Sequence, residues 1–275
     1  MKYCEIVIGP PGSGKSTYVD KKIDYIKHRN PYVINLDPGN IYSDHYDYSI
    51  TEKYTVGEYQ KEHGKGPNAS TKDILNDFVG DLNQFYYDRL EDNECYLLID
   101  LPGQVEFLVN GNSLQSLIRL FSSKGYSVVV ICLVDLVFFN HSPLSSYLFT
   151  YICVSLLEVP SICVISKCDN YHKIDFKYDL EKISKLEILL DTENESFDGF
   201  KNLQSKAFMK SIIEFLSNNP LFNYEILDYE NKDTVRILQL IIDRCSGYVY
   251  DEEFQEEEEY PNISIDSIFD KYKKI

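Results

Sequence analysis

The sequence predicts a three-layer α/β fold in which a mostly parallel sheet lies between helices, and three observations predict it. Short runs that are apolar on both faces alternate with helix-compatible stretches, the pattern of buried parallel strands joined by crossovers. The first run leads into Gly9-Pro10-Pro11-Gly12-Ser13-Gly14-Lys15-Ser16, which fits the phosphate-loop pattern of Gly, four free positions, Gly, Lys and Ser or Thr. Later runs deliver acidic residues to their C-terminal ends, where open parallel sheets collect ligands. Together these point to the P-loop NTPase class.

Taken in order, Ile6-Val7-Ile8 is the first strand, and Thr17 to His28 is the helix that follows the loop. Tyr32 to Leu36 is a second strand, bounded by Asn30-Pro31 and by Asp37-Pro38-Gly39. A Tyr-rich segment from Asn40 to Gly64 has little period and ends in Gly64-Lys65-Gly66-Pro67-Asn68. Ile74, Leu75, Phe78, Leu82, Phe85 and Tyr86 are spaced three and four apart, which predicts one long amphipathic helix over Thr71 to Leu90. Cys95 to Ile99 is a third strand that delivers Asp100, followed by Leu101-Pro102-Gly103-Gln104-Val105-Glu106. A helix through Leu114, Leu117, Ile118 and Phe121 leads to a fourth strand, Ser127 to Val134, and Ser161 to Ile165 is a fifth.

Beyond it, Tyr171 to Pro220 is charged and helix-compatible, with a loop expected around Thr192 to Gly199. Glu225 to Leu227 is a last short strand, and Thr234 to Cys245 a closing helix stopped by Gly247. These elements fit one domain over residues 1–250, with helical insertions at about 40–92 and 136–220, and a separate tail over 251–275. Seven carboxylates fall in the ten residues from Asp251, so the tail is expected to be disordered and solvated. The apolar pulse Ile263, Ile265, Ile268 and Phe269 then reads as a docking element for a partner.

Composition narrows the function classes. A net charge of −17 repels nucleic acid as a direct partner. An acidic chain that grips a triphosphate must build its positive field locally, from backbone amides, Lys15 and a Mg²⁺ ion. The seven cysteines form no CxxC pair and mostly sit in apolar runs, as reduced core thiols do. Met1 to Glu5 enters a strand directly, which leaves no room for a signal peptide. Leu136 to Leu157 lacks Asp, Glu, Lys and Arg, but Asn140-His141-Ser142-Pro143 interrupts it. With Ser142 as N-cap and Pro143 opening it, the helix that follows is too short for a bilayer and reads as buried or partner-covered.

The chemistry concentrates at the strand ends. In the loop, glycines let successive N–H groups turn inward toward phosphate oxygens, and the helix N-terminus adds its positive end. Pro11, Gly12, Ser13, Gly14, Lys15, Ser16 and Thr17 are the expected phosphate contacts, with Lys15 on the β- and γ-phosphates and the Ser16 hydroxyl on Mg²⁺. Asp100 in Asp-x-Pro-Gly suits a carboxylate that holds Mg²⁺ directly or through water; Gly103 would face the γ-phosphate and Gln104 the attacking water. Asp37 alone is a turn residue, and becomes a candidate because Asp100 shares its edge. Ser166-Lys167-Cys168-Asp169 differs by one residue from Asn-Lys-x-Asp, in which the Asp accepts from both the ring N–H and the exocyclic amine of guanine. Such a site rejects adenine by roughly 10⁴-fold, since the carboxylate would be left unpaired.

Phosphate loop, Asn35-Leu36-Asp37-Pro38, Gly66-Pro67-Asn68, Asp100 to Glu106 and Ser166 to Asp169, in that order, make the chain resemble the GPN-loop GTPases from about residue 2 to 250. Asp266-Ser267-Ile268-Phe269-Asp270-Lys271-Tyr272 and Ser16-Thr17-Tyr18 resemble the eukaryotic third paralogue more than the second. The resemblance implies a dimeric, Mg²⁺-dependent GTPase, paired with a paralogue or a second copy. It also implies a cytoplasmic protein, shuttling to the nucleus, that works in assembly and import of RNA polymerase II through its subunits or assembly factors. Gly66-Pro67-Asn68 would project across the dimer toward the partner's γ-phosphate site. Asp37, Asn68, Gln104 and Glu106 would be catalytic, and Ser16 with Asp37 or Asp100 would surround Mg²⁺. Ser166, Lys167 and Asp169 would hold the base. Two departures stand out. Ala69 follows Asn68 where the family has Gly, and Gly39 follows Pro38 where it usually has Ala. If position 69 needs a positive φ, Ala costs on the order of 1 kcal/mol there.

Two other readings compete. The loop sequence is also typical of nucleotide-type small-molecule kinases, but these clamp two phosphorylated substrates with arginines, and the five here (Arg29, Arg89, Arg119, Arg236, Arg244) lie in no motif. A noncatalytic, nucleotide-gated binding module is the third.

Overall fold

In the computed structural model, residues 2–40, 45–104, 112–188, 203–218, 223–248 and 265–273 are described. The seven strands are hydrogen-bonded in the order β3-β2-β4-β1-β5-β6-β7, and every pairing with a described register is parallel. The chain divides into two compact units: Met1–Leu133 with Leu156–Ser161 and Asp243–Tyr248, and Val134–Ser155 with Ile162–Ile242 and Val249–Ile275.

The first unit holds β1 (Lys2–Ile8), α1 (Lys15–Tyr25), β2 (Pro31–Asn35), β3 (Tyr48–Ser49), α2 (Val56–His63), α3 (Pro67–Gly80), α4 (Leu82–Arg89), β4 (Tyr96–Asp100), α5 (Ser113–Ser123) and most of β5 (Tyr126–Asp135). Ile6, Val7, Ile8, Leu97, Leu98 and Ile99 are fully buried, as strands covered on both faces require. Register decides where the chemistry goes. Asp100 lies level with Val7 on one side and Asn35 on the other, so the chain leaves all three strands at one edge.

The expected single helix over Thr71 to Leu90 is two helices. Gly80 and Asp81, with Asp81 at φ −91° and ψ 0°, break it, and Gly is the weakest helix former short of Pro. The segment without period carries β3 and α2. Thr55 caps α2, accepting from the Glu58 N–H, and Gly64 closes it at φ +63°. β1 also buries a carboxylate that its apolar pattern hid. Glu5 pairs with Lys22 at 2.8 Å and accepts hydrogen bonds from the hydroxyls of Tyr18 and Tyr96. Nearby, Arg29 makes a two-pronged pair with Asp243 at 2.6 and 2.9 Å.

The second unit holds α6 (Leu136–His141), α7 (Pro143–Ser155), β6 (Ser161–Ser166), α8 (Leu180–Ser184), α9 (Leu203–Asn218), β7 (Tyr224–Ile226), most of α10 (Lys232–Ser246) and α11 (Ile265–Asp270). Its core is aromatic, with Phe139, Tyr147 and Tyr224 in mutual ring contact. Within α6 and α7, Leu136, Phe139, Tyr147, Thr150 and Cys153 are buried, while Phe138 and Ile152 are exposed. Pro143 does open α7. Among the described residues no helix is long and apolar enough to cross a membrane.

The end of the chain departs from the solvated tail the charge predicts. α11 is ordered, and Ile268 and Phe269 of the apolar pulse are buried in the second unit's own core beside Tyr272, so those two residues of the pulse are covered within the chain. Ile263, the acidic run and the Thr192 to Gly199 loop lie outside the described residues. Six cysteines are buried and Cys245 is exposed, all of them free thiols.

Candidate functional site

The phosphate loop has the backbone its glycines predict. Gly9, Gly12 and Gly14 take φ of +151°, +76° and +88°, and Gly14 ends the loop as the left-handed N-cap of α1. A Cβ at Gly9 would stand 2.3 Å from the Leu133 carbonyl oxygen, so nothing larger fits. Lys15 folds back over the loop and donates to the carbonyls of Gly9 (3.1 Å) and Pro10 (3.2 Å). Burial lowers its pKa, while Asp100 and Asp37 pull it back up. The ammonium is thus held beside two carboxylates.

Those carboxylates differ. Asp100 is buried and accepts hydrogen bonds on Oδ2 from Ser16 Oγ (3.0 Å) and the Tyr46 hydroxyl (2.9 Å). Its Oδ1 is buried without a partner among the described residues. Burial raises Asp100 to about 6, against the pull of Tyr46, Ser16 and Lys15. Asp37 is half-buried, and its Oδ1 accepts from the Gly39 N–H at 2.9 Å while its own N–H donates to Asn35 Oδ1. It therefore serves the turn and the Lys15 field together. The residue at 39 is tied to this turn, since a Cβ there would sit 3.1 Å from Asp37 Oδ1.

The donor set fits Mg²⁺. A hydroxyl and a carboxylate are hard oxygen ligands, and Mg²⁺ typically takes one or two carboxylates and draws its other ligands from substrate phosphates and water. The orphaned Asp100 Oδ1 is a buried acceptor of the kind a cation satisfies. Ser16 and Asp100 are the residues that would hold the ion.

After β4 the chain runs against the loop. A Cβ at Gly103 would fall 2.8 Å from both Lys15 Nζ and the Pro11 nitrogen, so the backbone there touches the lysine that glycine leaves room for. Gln104 comes next, and its Nε2 donates to Asn68 Oδ1 at 3.4 Å. The structure thus brings together two residues 36 positions apart that the resemblance assigns to hydrolysis. Glu106 lies outside the described residues.

Gly66-Pro67-Asn68 forms the start of α3, with Gly66 as N-cap and Pro67 in the first turn. Ala69 is the next helical residue, its φ is not positive, and the feared strain is absent.

In the second unit, Ser166 is the buried last residue of β6 and Lys167 stands in the left-handed region at φ +61°. Lys167 Nζ pairs with Asp135 Oδ2 at 2.8 Å, while Asp135 Oδ1 accepts from the Val137 N–H and caps α6. Cys168 is buried and its N–H donates to the Leu227 carbonyl at 3.1 Å. Asp169 is partly exposed and lies 3.6 Å from Lys173. Burial alternates here, with Ser166 and Cys168 buried and Lys167 and Asp169 part-exposed.

Sequence reasoning missed Tyr46 and Asn40, whose side-chain amide donates to Ser16 Oγ (3.3 Å) and to the Tyr46 hydroxyl (3.1 Å). No periodicity marks them. The available signal was the density of tyrosines beside an expected metal site. Asp135 was also missed, though it ends the most continuous apolar run in the chain.

The comparisons with known proteins cover nearly the whole chain. Residues 7–248 match the family model described as a conserved hypothetical ATP binding protein, ATP_bind_1. GPN-loop GTPase 3 of Dictyostelium discoideum is 30% identical over 264 residues, covering 93% of this chain and 90% of that protein. GPN-loop GTPase 2 of Saccharomyces cerevisiae is 29% identical over 271 residues, covering 91% and 76%. Identity thus does not separate the second paralogue from the third. The crystal structure of a Pyrococcus abyssi GTPase in its apo form superposes with a TM-score of 0.64 at 19% identity, over 90% of this chain and 98% of that one, which shows a shared fold.

Proposed function

This chain belongs to the GPN-loop GTPase family, and we propose that it binds GTP with Mg²⁺ and hydrolyses it to GDP and phosphate. The observation that carries the reading is the cluster of Lys15, Ser16 and Asp100 under Gly103, with Gln104 on Asn68 beside it.

The buried Lys15 gives up two neutral carbonyl acceptors and gains anionic phosphate oxygens, an attraction that the low dielectric of a buried site strengthens. The loop N–H groups and the start of α1 neutralise charge that develops on the transferred phosphoryl group. Mg²⁺, when bound, supplies a counter-charge to the β- and γ-phosphates. Asp100 keeps its carboxylate ionised against its own burial through Ser16 and Tyr46. Gln104 orients the attacking water, and Asn68 fixes the rotamer of Gln104. Asp37, tied to its turn, adds a negative edge that holds Lys15 charged. Ser166, Lys167 and Asp169 choose the base, which decides between the GTP of the relatives' names and the ATP of the family model's description.

The reading extends to partners. The chain would pair with a paralogue or a second copy, and the client would be RNA polymerase II, carried between cytoplasm and nucleus. The family likeness is what supports both. The test of the chemistry is single-turnover hydrolysis by Gln104→Ala and by Asn68→Ala. Each is expected to lose roughly 10- to 100-fold in rate while keeping GTP affinity. Rates equal to the parent's would remove both residues from the mechanism.

A further inference from the structure

The acidic tail ends in a segment whose contacts concentrate on one turn. Beyond α11, the Tyr272 hydroxyl donates to Asp228 Oδ2 at 2.6 Å and accepts from Asn231 Nδ2 at 3.4 Å. Lys271 Nζ reaches Asn231 Oδ1 and Asp233 Oδ2, both at 3.0 Å. The Tyr272 ring lies 6.1 Å from that of His172, nearly parallel to it, and His172 Nε2 is 3.0 Å from the Lys271 carbonyl. Ile268, Phe269 and Tyr272 are buried beneath these polar contacts.

The turn they hold, Leu227 to Asp233, is bonded to the base motif on both sides. The Leu227 N–H donates to the Ile165 carbonyl at 2.8 Å, and its carbonyl accepts from the Cys168 N–H at 3.1 Å. Asp228 caps the same turn, accepting on Oδ1 from the Glu230 N–H. Glu230 and Asp169 flank Lys173 at 3.7 and 3.6 Å. A path of direct contacts therefore runs from Tyr272 through Asp228 and Leu227 to Cys168, the neighbour of the carboxylate assigned to guanine.

We propose that the C-terminal segment 265–273 is a strap that positions the base-reading motif, with Tyr272 as its positioning residue. The inference rests on the assignment of Ser166 to Asp169 to guanine. The Tyr272 hydroxyl fixes Asp228, Asp228 fixes the turn, and the turn fixes the backbone that aims Asp169. Base recognition depends on that aim, because a carboxylate that accepts from two donors tolerates little displacement. Phosphate recognition does not, since it is built from α1 and its loop.

The experiment compares Tyr272→Phe and Asp169→Asn with the parent, all full-length, by titration with fluorescent GTP and by competition with Mg²⁺-tripolyphosphate, which has no base. Tyr272→Phe keeps the buried ring and removes only the hydroxyl bonds. It is expected to weaken GTP about 5- to 10-fold and to leave tripolyphosphate affinity unchanged. Equal weakening of both ligands would mean a general loss of structure and would overturn the strap. Unchanged GTP affinity in Tyr272→Phe, with affinity lost in Asp169→Asn, would overturn the strap and leave the base assignment standing. Unchanged affinity in Asp169→Asn would overturn the base assignment and the strap with it.

Discussion

At the phosphate loop, the Lys15 ammonium is buried and rests on carbonyls of its own loop. At Ser166 to Asp169 the ends of Lys167 and Asp169 are part-exposed and paired with Asp135 and Lys173. Lys15 rests on carbonyls five and six residues back, whereas Lys167 is held by Asp135, 32 residues away, with 40% of its side chain exposed. The difference teaches that the phosphate grip is prebuilt, because backbone dihedrals fix it before any ligand arrives. The Ser166 to Asp169 motif, proposed to read the base, is a tertiary assembly, adjustable through its neighbours.

Mutations should sort along that divide. The largest effect belongs to Lys15→Ala, which removes the cation proposed to meet the phosphates. Turnover should fall about 10²- to 10³-fold, and a loss under threefold would deny Lys15 its role. A smaller effect is expected from Asp135→Asn, which keeps the α6 cap and removes the ion pair to Lys167. A part-exposed pair contributes up to about 1 kcal/mol, so GTP should weaken by about fivefold with tripolyphosphate binding untouched. If both ligands weaken together, the two regions are not separate.

The smallest effect is a pH slope. Burial raises Asp100 from 3.8 to about 6, so between those values the folded chain holds a proton that the unfolded chain has released. In metal-free buffer this group makes stability fall as pH rises through that window and level off above it. Asp100→Asn should flatten the slope in thermal unfolding. An unchanged slope in that variant would place the raised group elsewhere.

How much of this the sequence carried depended on whether a signal was local. The loop, Asp37, Asp100 and Gly103 follow from strand ends and glycines, each readable within about ten residues. Gly80 and Asp81 broke a helix whose apolar spacing continued across them, because packing periodicity survives a break that backbone preference creates. Tyr46 reaches Asp100 from an aperiodic segment, and Arg29 meets Asp243 across 214 positions, contacts that no local pattern encodes. The tail misled in the same way. Its charge run suggested solvation throughout, yet Ile268, Phe269 and Tyr272 found a core that only the fold creates.

The central claim is that the motif at Ser166 to Asp169 gives this chain its preference for a guanine nucleotide. Equilibrium titration with fluorescent GTP and ATP in Mg²⁺ measures it directly. The account predicts GTP tighter than ATP by at least about 100-fold, since adenine leaves the Asp169 carboxylate unpaired. Equal affinities, or tighter ATP, would contradict it.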